Sequence, residues 1–416
     1  MKPHDGTRNP GKVRLGNVAL CSLALASCTT APRLDTPTAA AATAAPAGFS
    51  RPIRADALDR AFFEANADRM SEGVKAASDG SIDILALSGG GAGGAFGAGI
   101  VVGLTKANAR PKFEIVTGVS TGALIAPFAF LGPKWDTTLT EAFSGKATNS
   151  LLVSRGLGAL FGVGVFQGAP LHKLVDRFVT DELIAAVAKE AETGRLLLVA
   201  TTNLDREETQ IWNLGAIAMQ GGKPARDLFR SVLVASASVP GVFPPVMIDV
   251  QDGGKTFQEM HVDGGASTPF FIAPDIAMIL GEAPQVLRGA HIYVVVNGSS
   301  ASPPRSTRNN TIDIVARSFT AVLNHMTRTL LLQTEDFAQR NGMSFVFTVM
   351  PQDVAFGGSL AFEEANMKSI FDYGVRCAAA KQAWVSPEEA LAHVSVVGEA
   401  AVPPDKADCP LLSGPK

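Results

Sequence analysis

Phe113-Glu-Ile-Val-Thr-Gly-Val-Ser120-Thr-Gly-Ala-Leu-Ile125 is the stretch on which the reading of the fold turns. An apolar strand, Phe113 to Thr117, runs into Gly118-Val119-Ser120-Thr121-Gly122, and an apolar helix continues from Thr121 to about Leu131. G-x-S-x-G between a strand and a helix is the pattern of a nucleophile elbow. The chain turns so sharply there that the serine takes an unfavourable backbone conformation. Gly118 and Gly122 remove the side chains that would collide across the turn. Ser120 is therefore expected at the carboxyl end of its strand, with its hydroxyl exposed near the amino end of the next helix. A chain with 41 glycines can match this pattern by accident, so its surroundings decide.

One strand earlier, Ile82-Asp-Ile-Leu-Ala-Leu87 reads as a buried strand and Ala95 to Leu104 as the helix after it. Between them lies Ser88-Gly89-Gly90-Gly91-Ala92-Gly93-Gly94. A glycine loop at a helix amino end presents bare N–H groups with the positive end of the helix dipole behind them. Phosphate cradling and oxyanion stabilisation both use such a device. A Walker-type loop ends in Gly-Lys-Ser/Thr, whereas here Gly94-Ala-Phe96 follows. Gly89, Gly91 and Gly94 have the GxGxxG spacing of a dinucleotide loop, but the second strand carries Ser120 where an acidic ribose ligand belongs. Paired with the elbow, the loop reads as an oxyanion hole made by Gly89, Gly90 and Gly91. The third piece is His261-Val262-Asp263-Gly264-Gly265. In isolation Asp-Gly-Gly is a turn; its functional reading is a carboxylate set beside the serine to accept its proton.

Glycine loop, G-x-S-x-G and Asp263-Gly264-Gly265, in that order, resemble the patatin-like lipid acyl hydrolases, which share a catalytic core with cytosolic phospholipase A2. Ala235-Ser-Ala-Ser-Val-Pro240-Gly-Val-Phe-Pro244 resembles that family's proline-bearing segment between nucleophile and aspartate. Ala200-Thr-Thr-Asn-Leu-Asp205 resembles its mid-domain strand end. The similarity spans roughly Ile82 to Pro274. It implies a three-layer α/β/α fold with a mainly parallel central sheet, a Ser120–Asp263 dyad, a lipid or phospholipid substrate, and no metal or organic cofactor. The implied activity is a serine lipid acyl hydrolase of the phospholipase or lysophospholipase type. A catalytically weak or silent lipid-binding lipoprotein of the same fold, and an acyltransferase to an acceptor other than water, are the alternatives. One departure matters: Gly93 stands where the family has Arg or Lys, which removes a fixed positive charge but keeps an N–H.

The rival is an α/β-hydrolase with a Ser…Asp…His triad. His291, His325 and His393 follow Asp263 in the chain. His291 begins an expected strand, His325 sits in a long helical stretch from Thr311 to about Arg340, and His393 lies near the C-terminus. In a dyad Asp263 takes the serine proton directly, and none of the three is needed.

Helices at Thr180 to Glu192 and Ala225 to Ala235, with strands at Leu196 to Thr201 and His291 to Val296, complete the α/β pattern. Thr209 to Asn213 reads as an antiparallel strand. Strands separated by helices argue for a mainly parallel sheet covered on both faces. The apolar positions Ile312, Val315, Phe319, Val322, Leu323, Met326 and Leu330 have the spacing of a helix packed on that sheet. Gly156 to Phe166 mixes apolar bulk with glycine and reads either as a buried connection or as the lip of an acyl groove or a membrane-touching loop.

The amino terminus has a basic front, Lys2, Arg8, Lys12 and Arg14, then a short apolar run from Leu15 to Ala26. It reads as a targeting segment too short to span a bilayer. Leu25-Ala26-Ser27-Cys28 resembles the lipobox of bacterial lipoproteins, which implies cleavage before Cys28 and lipid attachment to it; ordinary secretory cleavage after Ala24-Leu25-Ala26 is the alternative. Thr29, where inner-membrane members often carry Asp, favours the periplasmic face of the outer membrane. Cleavage there removes four basic residues and one acidic one, taking the formal charge from −3 to −6. No clustered basic surface suggests nucleic-acid binding. Residues 28–50 read as a lipidated cysteine with an Ala/Pro/Thr-rich flexible tether. A helical extension at 51–80, the catalytic core at 81–275, and completing strands and helices at 276–416 follow. Cys377 and Cys409 form either a bridge or two separate thiols. No Cys/His cluster has metal-ligand spacing.

Overall fold

A computed structural model describes residues 33–41, 43–49, 53–149, 151–154, 164–281, 283–299, 306–387, 389 and 401–410. The strands are β1 (Ala45–Pro46), β2 (Arg54–Asp56), β3 (Asp83–Leu87), β4 (Ile115–Val119), β5 (Leu196–Asn203), β6 (Glu208–Asn213), β7 (Val246–Asp252), β8 (Lys255–Asp263), β9 (His291–Ser299) and β10 (Ser344–Met350). Among the described residues they form one sheet in the order β1-β7-β8-β5-β4-β3-β9-β10, with β6 on β5 and β2 on β6. The centre, from β10 through β9, β3 and β4 to β5, is parallel. The flank of β6, β8, β7 and β1 is antiparallel, so the sheet is mixed around a parallel centre.

Successive side chains of a strand point to opposite faces. In β3, Leu85 and Leu87 enter one apolar core while Ile84 and Ala86 enter another. The principal helices are α1 (Arg60–Ala77), α2 (Gly94–Lys106), α3 (Thr121–Leu131), α4 (Asp181–Ala191), α5 (Gly222–Ser236), α6 (Thr311–Arg340) and α7 (Glu364–Ala379). Helices α2 to α5 and α7 cover the Leu85 face. Val74 of α1 and Phe337 and Ala338 of α6 cover the other. The result is the three-layer α/β/α arrangement. Because both faces are buried, the central strands read as nearly continuous apolar runs.

Strand β5 positions the site. Along one edge it pairs with parallel β4 as far as Val119 opposite Ala200. From the next residue, Thr201, it pairs with antiparallel β8, beginning at Asp263. The carboxyl ends of β4 and β8 therefore meet head to head on consecutive residues of one strand. Behind the elbow, buried Arg110 donates to the Phe128 and Ala129 carbonyls and Arg195 to that of Phe130. Asp136 and Glu190 balance these cations. Positive charge at the carboxyl end of α3 offsets its dipole, by about 0.3–1 kcal/mol per group.

The flexible tether is corrected for residues 33–41 and 43–49, which lie on the domain. The Leu34 carbonyl accepts the Gln258 amide at 2.7 Å, Arg33 pairs with Asp205 at 2.7 Å, and Ala45 and Pro46 pair with β7. The physical reason is the exposed edge of the β7–β8 hairpin, whose backbone groups need partners that composition does not reveal. Cys28 lies outside the described residues, as do His393 and residues 155–163. No helix among the described residues is long and apolar enough to cross a membrane.

Of the two cysteine readings, the bridge is the one formed: Cys377 and Cys409 are disulfide-bonded across 32 residues. It ties 401–410 to α7, which packs tightly on α2 where Gly374 faces the Phe96 carbonyl. Replacing both cysteines with serine should lower stability by about 2–4 kcal/mol, read as a lower urea midpoint. An unchanged midpoint would show that the bridge does not constrain this end of the chain.

Candidate active site

Ser120 sits at φ 55°, ψ −125°, between β4 and α3. A non-glycine residue at positive φ costs on the order of 1–3 kcal/mol and persists only where its surroundings enforce it. The enforcement is visible. A Cβ at Gly122 would lie 2.2 Å from the Leu87 carbonyl oxygen, and one at Gly118 would lie 2.7 Å from the Ala123 Cα. The Ser120 N–H donates to Ser236 Oγ at 3.0 Å. Contrary to expectation the serine is not exposed: it retains 5% of its surface. The hydroxyl donates to Asp263 Oδ2 at 2.5 Å.

Asp263 ends β8 and begins the turn through Gly264 and Gly265. Its other carboxylate oxygen accepts the Gly265 N–H at 2.7 Å. Its backbone is held by the Ser238 carbonyl at 2.9 Å and the Thr202 hydroxyl at 2.9 Å. Burial pushes its pKa up to about 7, partly opposed by the hydrogen bonds from Ser120 and Gly265. No cation figures among the influences on it. A carboxyl so placed is a far stronger proton acceptor, once ionised, than one in water.

The glycine loop needs one correction. The Gly89 N–H already donates to the Pro269 carbonyl at 3.0 Å, so of the three expected oxyanion donors Gly90 and Gly91 remain. Neither amide has a carbonyl partner among the described residues, and the same holds for Thr121, at the first turn of α3. Sequence reasoning missed Thr121, although the residue after an elbow serine is a known place for such a donor. The Asn297 carbonyl shapes the loop: a Cβ at Gly90 would stand 1.6 Å from its oxygen and one at Gly93 2.3 Å. Gly93 has φ −60°, so crowding, not backbone angle, excludes a side chain there. Gly94 is equally confined, by Thr121 Oγ1 at 2.1 Å.

A narrow apolar slot opens beside the loop and elbow, lined by Gly91, Thr121, Leu124, Phe128, Phe143 and Phe178 among others, with about 40 Å³ of free space. A wider cleft of about 480 Å³ borders Leu171, His172, Lys173, Ser238 and Pro244. Neither Ser120 nor Asp263 lines either space; the slot touches the glycine loop at Gly91 and the elbow at Thr121, and the cleft touches Ser238. His291 Nδ1 pairs with Asp83 Oδ1 at 3.0 Å, where β9 and β3 begin. That is the opposite end of the parallel strands from Ser120. His325 is exposed on α6. The described residues contain no cluster of three or more His, Cys, Asp or Glu fit to hold a metal.

Residues 85–274 match the family model of patatin-like phospholipases. No curated protein matches the sequence. Among solved structures the chain is similar to VipD from Legionella pneumophila at 12% identity, over 76% of this chain and 70% of that one, with a TM-score of 0.31.

If Asp263 must be ionised to take the Ser120 proton, reactivity needs the form that prevails above its pKa. The rate of Ser120 labelling by a fluorophosphonate should therefore rise with pH to a plateau, half-maximal near pH 7. Below that point it should fall about tenfold per pH unit. A rate independent of pH between 5 and 8 would remove Asp263 as the base.

Proposed function

We propose that this chain, which carries a patatin-like phospholipase domain at residues 85–274, hydrolyses acyl esters of lipids with Ser120 as nucleophile and Asp263 as base. The family supports a lipid acyl hydrolase. The observation that carries the finer reading is the 2.5 Å hydrogen bond from Ser120 Oγ to Asp263 Oδ2. It lies beside the amides of Gly90, Gly91 and Thr121, which have no carbonyl partner among the described residues, and near an apolar slot.

In this reading Ser120 Oγ attacks the ester carbonyl carbon as its proton passes to Asp263. The carbonyl π electrons move onto oxygen, facing the amides of Gly90 and Gly91. Each such donor is worth roughly 3 kcal/mol. Collapse expels the alcohol, which takes the proton from Asp263, and leaves an acyl-enzyme. Water then attacks, giving its proton to Asp263, and Ser120 departs as the proton returns to it. The slot beside Thr121 suits an acyl chain because its walls are leucine and phenylalanine. Its 40 Å³ is room for a few waters, so a chain must part those walls on entry. The intact dyad weighs against a silent lipid-binding protein. Lipidation of Cys28, through Leu25-Ala26-Ser27-Cys28, would hold the domain at the periplasmic face of the outer membrane.

Two measurements test this. With a short-chain nitrophenyl ester, Ser120→Ala and Asp263→Asn should each lower kcat/KM by about a thousandfold or more, while His291→Ala and His325→Ala keep most of the rate. A histidine variant as damaging as Asp263→Asn would bring back the α/β-hydrolase triad. Cys28→Ala should move the protein from the membrane to the soluble fraction at an unchanged rate on the soluble ester. Retention in the membrane would overturn the anchor.

A further inference from the structure

We propose that Ser236 is a positioning residue for the nucleophile: its hydroxyl holds the elbow at the working distance from the base. The proposal rests on the reading of Ser120 as nucleophile. Ser236 ends α5 and is fully buried. A serine in a helix ordinarily bonds back to the carbonyl four residues earlier. Ser71 does so to Ala67, and Ser238, just past the end of α5, bonds back to Val234 in the same way. Ser236 does not. Its oxygen accepts the Ser120 N–H at 3.0 Å, and its O–H donates to the Ala200 carbonyl at 2.7 Å.

Both partners belong to the junction that makes the site. Ala200 is the β5 residue opposite Val119, and Thr201, next along β5, is opposite Asp263. One hydroxyl thus joins the strained elbow to the strand that sets its register. Two residues on, the Ser238 carbonyl accepts the Asp263 N–H at 2.9 Å. The turn from Ser236 to Ser238 therefore grips both halves of the dyad, one through a side chain and one through the backbone. Without the Ser236 hydroxyl the Ser120 amide would be buried and unpartnered. The elbow could then relax toward an ordinary backbone angle and carry Oγ away from Asp263. A displacement of about 1 Å in a reacting group can cost on the order of a hundredfold in rate.

The test uses the full chain and three readouts: kcat and KM on a short-chain nitrophenyl ester, the saturating rate of Ser120 labelling by a fluorophosphonate, and the urea midpoint. Ser236→Ala should lower kcat and the labelling rate together by about ten- to a hundredfold, with KM within about twofold, the pattern of a lost transition-state interaction. Ser236→Thr, which keeps the hydroxyl, should restore most of kcat. Ser71→Ala removes a buried helical hydroxyl far from the site. It should lower the midpoint without lowering kcat. Should Ser236→Ala fail to fold, Ser236→Cys keeps the volume with a poor hydrogen-bonding group and should show the same kcat-only loss. Wild-type kcat in Ser236→Ala or Ser236→Cys, or a loss confined to KM, overturns the positioning role alone. A wild-type protein inert to both ester and fluorophosphonate overturns the nucleophile reading, and the positioning role with it.

Discussion

The structure depends on a handover between strands. Along one edge of β5, parallel β4 stops at Ala200 and antiparallel β8 begins at Thr201. A parallel sheet alone would place the chain after β4 at a sheet end with nothing opposite it. An antiparallel neighbour alone would offer no strand-to-helix elbow. Joined end to end, they bring two residues 143 positions apart within hydrogen-bonding distance. The same junction explains Gly264, where a Cβ would stand 2.5 Å from the Ala200 carbonyl oxygen. It also gives Ala200 a partner in the Ser236 hydroxyl. A one-residue slip of β8 would turn Asp263 to the other face of the sheet. The ladder from Val246–His261 to Asp252–Lys255, closed by Gly253 and Gly254, resists that slip.

Much of this was legible, and the reason is local. Glycine patterns report backbone geometry, and backbone geometry is what an elbow, an amide-lined loop and an Asp-Gly-Gly turn consist of. Ser120, Gly122 and Asp263 could therefore be found without knowing what they touch. Helical spacing likewise marked Thr311–Arg340, and the continuous apolar run after the elbow marked Thr121–Leu131. The β7–β8 hairpin went unread, although its signal was present as apolar alternation at Val246, Ile248 and Val250 before Asp252-Gly253-Gly254.

What stayed hidden depends on residues far away in the chain. Whether the Gly89 amide is available to an oxyanion is decided by the Pro269 carbonyl. Whether Gly93 can carry a cation is decided by the Asn297 carbonyl. Whether 33–41 and 43–49 hang free is decided by the edge of β7 and by Asp205. No pattern within those segments carries the answer. Ser236 belongs here too: Ala235-Ser-Ala-Ser could be recognised as a segment, but not as the turn that grips the dyad from both sides.

The absent cation at Gly93 has a consistent electrostatic counterpart. On the proposed mechanism the site carries one negative charge throughout, and that charge moves. Before attack it lies on Asp263, a buried carboxylate met by one amide and one hydroxyl, with a pKa raised to about 7 by that burial. As the serine proton arrives, the charge passes to the substrate oxygen. It then faces Gly90 and Gly91 at the amino end of the α2 segment and Thr121 at the amino end of α3. The carboxyl end of α3 is already balanced by Arg110 and Arg195. Acceleration depends on the charge being better solvated after the move than before it. A cation beside the loop would deepen the second state, but if close enough to Asp263 it would also lower that group's pKa and weaken it as a base. Fixed amide dipoles favour the oxyanion while leaving Asp263 without a positive neighbour.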